Sequence, residues 1–221
     1  MRVLIIEDER RLAENIARGV RESAGYAVDC VFDGQDGLYM AQSNPYDLVI
    51  VDLMLPHVDG LSIVRRLRSN GSSVPMLVLT ARDEKESVVA LLNAGADDYV
   101  TKPFDLGELI ARSKALIRRG KGKSETMLRV QDVEINIADR TVTRRGQRVS
   151  LTAMEYRVLE YLAHRAGAVV SKTELLEHLY DFNWEKFSNV IEVYISGLRR
   201  KLGDGEKLIQ TLRGQGYVLR G

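Results

Sequence analysis

The stretch Leu48-Val49-Ile50-Val51-Asp52-Leu53-Met54-Leu55-Pro56 decides the fold of the first half of this chain. Its first four residues form a short apolar, β-branched run, which is typical of a strand buried on both faces. Asp52 follows this run directly, and Pro56 with the pair Asp59-Gly60 then marks a turn. Ligands bind at the carboxyl ends of strands in an open parallel sheet. Asp52 is therefore a candidate nucleophile or metal ligand, although capping of the next turn is an equally simple interpretation of this segment alone.

Five apolar strand patterns alternate with five helical patterns over the first 119 residues. The predicted strands cover residues 3–6, 28–31, 48–51, 74–79 and 98–101. The second helix is expected to begin at Gly37, and Asp105 with Glu108 resembles a capping box for the fifth helix. The alternation predicts an α/β domain with a five-stranded, parallel, doubly wound sheet of the flavodoxin-like type.

Polar side chains stand at the predicted carboxyl ends of four of these strands. They are Glu7, Asp8, Asp52, Thr80 and Lys102. Three carboxylates in one crevice repel each other unless a cation lies among them, and such oxygen ligands suit Mg²⁺. Lys102 and Thr80 would then bind an anion that the metal also binds. Each residue alone is explained equally well as surface or as a cap, but the set predicts a carboxylate that accepts a phosphoryl group.

Composition and single residues exclude other classes of protein. The chain has 221 residues, 45% hydrophobic and 29% charged, and no apolar run approaches the roughly 18 residues of a membrane span. Glu7 comes too early for a signal peptide, and the single cysteine, Cys30, fits a reducing cytosol. We therefore expect a cytoplasmic protein with no membrane partner. Cys30 is expected to pack in a strand. His57, His164 and His178 lack acidic partners at useful spacing and are expected to be surface or packing residues.

The second half has a different order of elements. Short strands at 128–130, 133–137, 141–143 and 148–151 predict a small antiparallel sheet. Capping boxes at Thr152/Glu155 and Ser171/Glu174 then open two helices, and a third helix follows from about residue 189 to 202. A hairpin with a basic, glycine-rich tip at 213–216 ends the chain. This order predicts an α+β winged helix-turn-helix domain.

The third helix of this half carries an apolar stripe that should face the core. The stripe consists of Ile191, Ile195, Leu198 and Leu202. The opposite face and the hairpin tip supply the candidate DNA contacts, which are Asn189, Val193, Ser196, Gly197, Arg200 and Arg213.

Charge and composition divide the chain into two domains. Residues 1–119 carry 15 Lys and Arg against 18 Asp and Glu, whereas residues 127–221 carry 15 against 12. Residues 120–126 contain no apolar side chain and are expected to be a flexible linker. A mildly acidic domain joined to a mildly basic one is typical of a chain with two tasks, one of which involves nucleic acid.

Residues 1–119 resemble the receiver domain of bacterial two-component response regulators. The matching motifs are Ile6-Glu7-Asp8-Glu9, Val51-Asp52-Leu53-Met54-Leu55-Pro56, Leu79-Thr80-Ala81-Arg82, Gly95-Ala96-Asp97-Asp98-Tyr99 and Thr101-Lys102-Pro103-Phe104. The resemblance implies that Asp52 accepts a phosphoryl group from a sensor histidine kinase. It also implies that Asp8, Asp52 and the backbone carbonyl of Met54 bind Mg²⁺ directly, while Glu7 helps through water.

The same resemblance implies a switch and a dimer. Lys102 would pair with the phosphoryl oxygens, Thr80 would move to hydrogen-bond them, and Tyr99 would turn inward into the space that Thr80 leaves. Phosphorylated relatives dimerise through the fourth helix, the fifth strand and the fifth helix. The charged positions that match this interface are Asp97, Asp98, Glu108, Arg112 and Lys114. Ala90 stands where relatives usually have a basic residue, so we expect Glu108 to lack its usual partner across the dimer and the active dimer to be weaker.

Residues 127–221 resemble the effector domain of OmpR/PhoB-type regulators. The motifs are Leu151-Thr152-Ala153-Met154-Glu155-Tyr156, Ser188-Asn189-Val190-Ile191-Glu192-Val193-Tyr194-Ile195, Leu198-Arg199-Arg200-Lys201-Leu202 and Thr211-Leu212-Arg213-Gly214-Gln215-Gly216-Tyr217. The resemblance implies binding to double-stranded DNA at direct-repeat half-sites and contact of the loop at 181–187 with RNA polymerase. Gly197 stands where relatives often have a base-reading arginine. Base contacts then fall on Asn189, Val193 and Ser196, which predicts an A·T-leaning half-site.

Two other functions are weaker alternatives. A DNA-binding protein that works without phosphorylation would not need the complete set of acids, Thr80 and Lys102. An aspartyl-phosphate hydrolase needs a second acid to protonate the leaving group, and the residue two positions after Asp52 is Met54. We therefore expect a phosphorylation-activated transcription regulator that catalyses its own phosphorylation but is not a dedicated enzyme.

Overall fold

The computed structural model describes residues 1–81, 85–121, 126–181, 189–203 and 207–221, with residues 85–87 described by their backbone. The chain forms two compact units, Met1–Gly122 and Lys123–Gly221. Among the described residues, no helix is both long enough and apolar enough to cross a membrane.

The first unit alternates strands and helices from end to end. Its elements are β1 (Arg2–Ile6), α1 (Arg10–Ala24), β2 (Ala27–Val31), α2 (Gly34–Ser43), β3 (Leu48–Asp52), α3 (Gly60–Ser69), β4 (Met76–Thr80), α4 (Lys85–Asn93), β5 (Asp98–Thr101) and α5 (Leu106–Gly120). The strands form one parallel sheet in the order β2-β1-β3-β4-β5. Every residue of β1, β3 and β4 is buried, as expected where helices cover both faces of a parallel sheet. The predicted doubly wound fold is confirmed.

Local chemistry moves two element boundaries from their predicted positions. The second helix begins at Gly34 instead of Gly37, because the Asp33 side chain accepts hydrogen bonds from the backbone N–H groups of Gln35 and Asp36 and caps the helix earlier. The fourth strand begins at Met76 and not at residue 74, since Pro75 has no N–H group to donate to a neighbouring strand.

The second unit begins with an antiparallel sheet. Strands β6 (Met127–Val130), β7 (Val133–Asn136), β8 (Thr141–Arg144) and β9 (Gln147–Arg148) pair in sequence order. The last of these is shorter and begins one residue earlier than the predicted strand at 148–151. The rest of the unit consists of α6 (Ala153–His164), α7 (Lys172–Leu179), α8 (Val190–Leu202), β10 (Ile209–Leu212) and β11 (Gly216–Leu219). Three helices followed by a β-hairpin form the predicted winged helix-turn-helix order.

The three predicted capping boxes differ in how completely they form. At the start of α6 both hydrogen bonds between Thr152 and Glu155 are present. Ser171 caps α7, but the Glu174 carboxylate accepts from the Tyr161 hydroxyl at 2.9 Å instead of returning to the cap. Asp105 caps α5 in the same one-sided way, because the Glu108 carboxylate binds Arg112.

Candidate functional site

Three carboxylates meet at the carboxyl edge of the parallel sheet. Glu7 and Asp8 follow β1, and Asp52 ends the neighbouring strand β3. One oxygen from each lies within 4.8 Å of the others, a spacing that suits a metal ion. Glu7 is fully buried and Asp52 is 5% exposed, whereas Asp8 is exposed to solvent. The order of the strands places this acid crevice (Glu7, Asp8 and Asp52) beside the point where the chain changes direction in the sheet, the usual ligand position in such folds.

Lys102 is the counter-ion of the acid crevice. Its Nζ donates to Asp52 Oδ2 and to Glu7 Oε2, each at 2.8 Å, although these residues lie 50 and 95 positions away in the chain. Burial lowers the pKa of Lys102, but its hydrogen bonds with Asp52 and Glu7 outweigh burial, and the pKa is raised. Burial also raises the pKa of Glu7, only partly offset by Lys102. One ammonium group does not balance three carboxylates, so the residues fit a divalent cation with oxygen ligands.

Backbone contacts fix Asp52 and its neighbours. The Met54 N–H donates to Asp52 Oδ1 at 3.2 Å, and the Lys102 N–H donates to the Thr80 carbonyl at 2.7 Å. A Cβ on Gly60 would lie 2.1 Å from the Asp52 carbonyl oxygen, so the chain can approach Asp52 here only with glycine. Thr80 is fully buried at the end of β4, and Tyr99 in β5 packs half-buried against the core of the sheet.

His57 lies at the surface as predicted, but it has an acidic partner that its sequence spacing did not indicate. Its Nδ1 contacts Asp33 Oδ2, and the hydrogen bond from His57 holds the pKa of Asp33 below its usual value. The two residues are 24 positions apart, and only the loops after β2 and β3 bring them together. Cys30 is half-buried in β2, as expected, and burial raises its pKa to about 11.

Three acids of the predicted dimer surface, Asp97, Asp98 and Glu108, are already paired within one chain. Arg112 binds Asp98 at 3.0 Å and Glu108 at 2.8 Å, so Glu108 has a partner in its own chain in place of the basic residue that is usual at position 90. Asp97 accepts from Arg68 at 2.7 Å and from the Met76 N–H at 2.8 Å, which ties it to its own subunit. Lys114 has no carboxylate within ion-pair distance among the described residues, and Ala90 is exposed.

The third helix of the second unit, α8, presents a polar face to solvent. Its stripe Ile191, Ile195, Leu198 and Leu202 is buried as predicted. The opposite face exposes Val193, at 65%, together with Ser196 and Arg200, and Asn189 is exposed at the N-cap. At the tip of the wing, Arg213 is exposed as well. These five predicted DNA contacts are all accessible to a ligand.

Gly197 lines the same concavity as Asn189, Val193, Ser196 and Arg200, but a side chain at this position would not project into open solvent. A Cβ there would lie 2.4 Å from Glu155 Oε1. That carboxylate is tethered, because its Oε2 accepts from Lys201 Nζ at 2.6 Å and from the Thr152 N–H at 2.7 Å. Burial raises the pKa of Glu155, but the hydrogen bonds from Lys201 and Thr152 outweigh burial and hold it below its usual value. Glycine therefore makes room for the capping box of α6, a contact between helices that the helical period of α8 could not reveal.

The basic cluster at the end of α8 is divided among different tasks. Arg199 donates to the Ile209 carbonyl at 2.8 Å and to Thr211 Oγ1 at 2.7 Å, which fastens α8 to the wing. Lys201 binds Glu155, as described above. Arg200 alone remains on the solvent face with no ion pair among the described residues.

The fold and the two sites define a class of protein. A parallel sheet with an acid crevice and a lysine, joined in one chain to a winged helix-turn-helix, is the architecture of a two-domain signalling regulator that binds DNA.

Comparison with known proteins gives the same result. The family described as "Response regulator receiver domain" matches residues 3–114, and "Transcriptional regulatory protein, C terminal" matches residues 146–219. The transcriptional activator protein IrlR of Burkholderia pseudomallei is 43% identical over 221 residues, covering 99% of this chain and 96% of that protein. The transcriptional regulatory protein PcoR of Escherichia coli is 41% identical over 220 residues, covering 99% and 97%. The solved receiver domain of the Francisella response regulator 1452 covers 53% of this chain and 97% of its own, at 36% identity and a TM-score of 0.52.

This chain belongs to the OmpR/PhoB-type response regulators, with a receiver domain followed by a DNA-binding transcription-regulator domain.

Proposed function

We propose that Asp52 accepts a phosphoryl group from a phosphohistidine of a sensor histidine kinase. An Asp52 carboxylate oxygen attacks phosphorus, so that an O–P bond forms while the N–P bond of the phosphohistidine breaks. The observation that carries this proposal is the 2.8 Å contact of Lys102 Nζ with Asp52 Oδ2 beside two further carboxylates. Lys102 would pair with the phosphoryl oxygens, because its Nζ already contacts the carboxylate to which they become attached.

The acid crevice fits Mg²⁺. Asp8, Asp52 and the Met54 carbonyl would hold the ion directly, and Glu7 would hold it through water. Mg²⁺ supplies positive charge that offsets the charge on the transferring phosphoryl oxygens. The burial of Glu7 and Asp52 supports this assignment, since buried carboxylates with one lysine between them need further positive charge.

Phosphorylation would then act through Thr80 and Tyr99. A dianion on Asp52 offers acceptors to the Thr80 hydroxyl, and Tyr99 turns into the space that Thr80 leaves. The surface of α4, β5 and α5 would rearrange with Tyr99 and form a homodimer through Asp97, Asp98, Glu108, Arg112 and Lys114. Arg112 already binds Asp98 and Glu108 within one chain. In the dimer, these acids would therefore either bind Arg112 and a residue of the second copy together, or release Arg112.

The second domain would bind double-stranded DNA at direct-repeat half-sites and control transcription. Helix α8 would enter the major groove with Asn189, Val193, Ser196 and Arg200, and Arg213 on the wing would meet the adjacent minor groove. The 65% exposed Val193 favours contact with a thymine methyl group, which supports an A·T-leaning half-site. The contact of RNA polymerase with the loop at 181–187 remains part of the proposal, and residues 182–187 of that loop lie outside the described residues.

These roles describe a cytoplasmic regulator with no membrane partner, and a protein that is not a dedicated enzyme. The hydrolase alternative has no support at the site, because the side chain two positions after Asp52 is the exposed, apolar Met54. We place the linker between the domains at residues 120–126, with the receiver at 1–119 and the effector at 127–221.

Sedimentation of the full chain with Mg²⁺ and beryllofluoride, which mimics the phosphoryl group, tests the proposal. We expect the wild type to change from monomer to dimer, and Asp52→Ala to remain monomeric. Asp36→Ala, which removes an exposed carboxylate on α2, is the matched control and should dimerise like the wild type. A chain that keeps one state in all three forms would contradict the proposal and favour DNA binding without phosphorylation.

A further inference from the structure

The loop that follows Asp52 contains a histidine in a backbone conformation that favours glycine. His57 has a φ of +63°, in the left-handed region where a side chain crowds the backbone. The turn of the chain does not require this side chain, because glycine adopts the same conformation without strain. A residue in such a conformation is held by its surroundings, so the contacts of the imidazole ring need an explanation.

The His57 side chain contacts the residue that caps the neighbouring helix. Its Nδ1 contacts Asp33 Oδ2. The other oxygen of that carboxylate, Oδ1, accepts from the N–H groups of Gln35 at 2.7 Å and Asp36 at 3.2 Å, at the start of α2. The hydrogen bond from His57 is the main cause that holds the pKa of Asp33 below its usual value, so the contact favours the ionised carboxylate. Asp33 therefore joins α2 to the loop after β3.

Backbone contacts join the same two segments. The Gly34 N–H donates to the Pro56 carbonyl at 3.2 Å. A Cβ on Gly34 would lie 1.8 Å from the carbonyl oxygen of Val58, so the start of α2 can pack this closely only with glycine. We call Asp33, Gly34, Pro56 and His57 the loop clamp. It holds residues 56–58 against α2 through both side-chain and backbone contacts.

The loop clamp lies next to the part of the loop that serves the acid crevice. The Met54 N–H donates to Asp52 Oδ1 at 3.2 Å, and its carbonyl is a ligand of Mg²⁺ in the proposed site. At the far end of the loop, the Gly60 N–H donates to the Leu53 carbonyl at 3.0 Å. Because two residues separate Met54 from His57, a shift of the loop at His57 would move the Met54 carbonyl as well.

We propose that His57 is a positioning residue for Mg²⁺ binding, and hence for phosphorylation of Asp52. Through Asp33 it fixes the loop that presents the Met54 carbonyl, without belonging to the acid crevice itself. This inference deepens the proposed function and rests on it. It predicts that loss of the contact weakens Mg²⁺ binding and leaves the stability of the domain unchanged, since groups that orient metal ligands act on metal affinity.

The test is the Mg²⁺ affinity of the full chain, measured by isothermal titration calorimetry. His57→Gly removes the imidazole and suits the left-handed conformation, so it leaves the turn unstrained. Asp33→Asn removes the charge of the partner and keeps a side chain that can cap α2. The double variant closes a thermodynamic cycle. Gln131→Gly is the matched control, since Gln131 also has a positive φ, of +51°, but lies in the second unit.

We expect His57→Gly and Asp33→Asn each to raise the dissociation constant of Mg²⁺ about tenfold, the lower end of the range for groups that orient metal ligands. The double variant should lose no more than either single variant, because both changes remove one contact. Phosphorylation of Asp52 by phosphoramidate should need about tenfold more Mg²⁺ for half its maximal rate, whereas the rate at saturating Mg²⁺ should stay within about twofold. Gln131→Gly should match the wild type.

Urea unfolding without Mg²⁺ should have the same midpoint in the wild type and in His57→Gly. Mg²⁺ affinities of these two forms that agree within about twofold would overturn the proposal. So would losses that add in the double variant, which would show that His57 and Asp33 act separately. A lower urea midpoint that accompanies weaker binding would also overturn it, since damage to the fold would then explain the loss. A wild-type chain that binds no Mg²⁺ would instead overturn the proposed function.

Discussion

The acid crevice and the reading face of α8, which is the exposed face with Val193, Ser196 and Arg200, are built in opposite ways. In the crevice, Lys102 and two buried carboxylates come from three separate strand ends and depend on each other's charge. On the reading face, the three side chains lie on one helix and are exposed, and only Arg200 carries a charge. A substitution in the crevice should therefore lower the unfolding free energy of the first domain. A substitution on the reading face should change DNA binding and leave the fold intact.

The largest effect on stability should come from Lys102→Met. This change leaves Glu7, which is fully buried, and Asp52 without their counter-ion. Removing one partner of a buried pair costs about 3 kcal/mol or more, so we expect the receiver to lose about 3 kcal/mol of unfolding free energy without Mg²⁺. Urea unfolding followed by circular dichroism would measure it.

Two further variants separate lost charge from lost packing. Lys114→Met removes a half-buried lysine that has no carboxylate partner among the described residues, and it should change stability by less than about 0.5 kcal/mol. Adding Glu7→Gln to Lys102→Met should recover part of the loss, because a neutral amide replaces the buried charge. Equal losses of stability from Lys102→Met and Lys114→Met would show that the loss does not come from the carboxylates that Lys102 leaves unpaired.

Mg²⁺ should give the next largest effect, and only in the first domain. At a free concentration about ten times its dissociation constant, a ligand that binds the folded state alone stabilises it by about 1.4 kcal/mol. Unfolding of the receiver should shift by this amount in the wild type and not in Asp52→Asn. The single tryptophan, Trp184, belongs to the second domain, so its fluorescence transition should not respond. A shift of both transitions would mean that Mg²⁺ acts on more than the acid crevice.

The same contrast explains what could be predicted from the sequence. The crevice residues were found because parallel strands bring their carboxyl ends to one edge of the sheet, so position along each strand is enough. The buried stripe of α8 was found because a helix repeats with a fixed period. In both cases the sequence pattern within an element specifies the direction in which the side chains point.

The contacts of Gly197 and His57 could not be predicted, because they lie between elements and no local pattern encodes them. Gly197 was assigned to the outward face of α8, and the structure adds that a carboxylate from α6 lies where its side chain would be. No acidic partner of His57 was predicted, because Asp33 lies 24 positions away in another loop. The ion pair of Glu108 with Arg112 was not predicted, although their spacing, four positions apart on a helix, could have revealed it.

Gly197→Ala should lower stability, because α8 packs against Glu155 of α6 at this position, unlike at the exposed positions beside it. Alanine gains roughly 0.5–1 kcal/mol over glycine within a helix, but its Cβ would lie 2.4 Å from the tethered Glu155 Oε1. Overpacking of this kind costs about 1–3 kcal/mol, so we expect a net loss of about 1 kcal/mol by tryptophan-monitored unfolding. Ser196→Ala, at the exposed neighbouring position, should stay within about 0.5 kcal/mol. A more stable Gly197→Ala would show that Glu155 moves aside freely.

The smallest effect concerns Ala90. It tests whether charges on the dimer surface depend on each other, as in the acid crevice, or act separately, as on the reading face. Ala90→Arg places a cation where it can reach Glu108 of a second copy, and exposed ion pairs contribute about 0–1 kcal/mol. We therefore expect the beryllofluoride-activated dimer to tighten by at most about fivefold in sedimentation, with Ala90→Gln as the uncharged control. The gain is limited because Arg112 already holds Glu108 at 2.8 Å within its own chain, and the new arginine has to compete for that carboxylate. Adding Glu108→Gln should abolish the gain if the two residues pair across the dimer. An equal gain with Glu108→Gln would assign the effect to another acid, and no gain at all would show that the pairing with Arg112 persists in the active state.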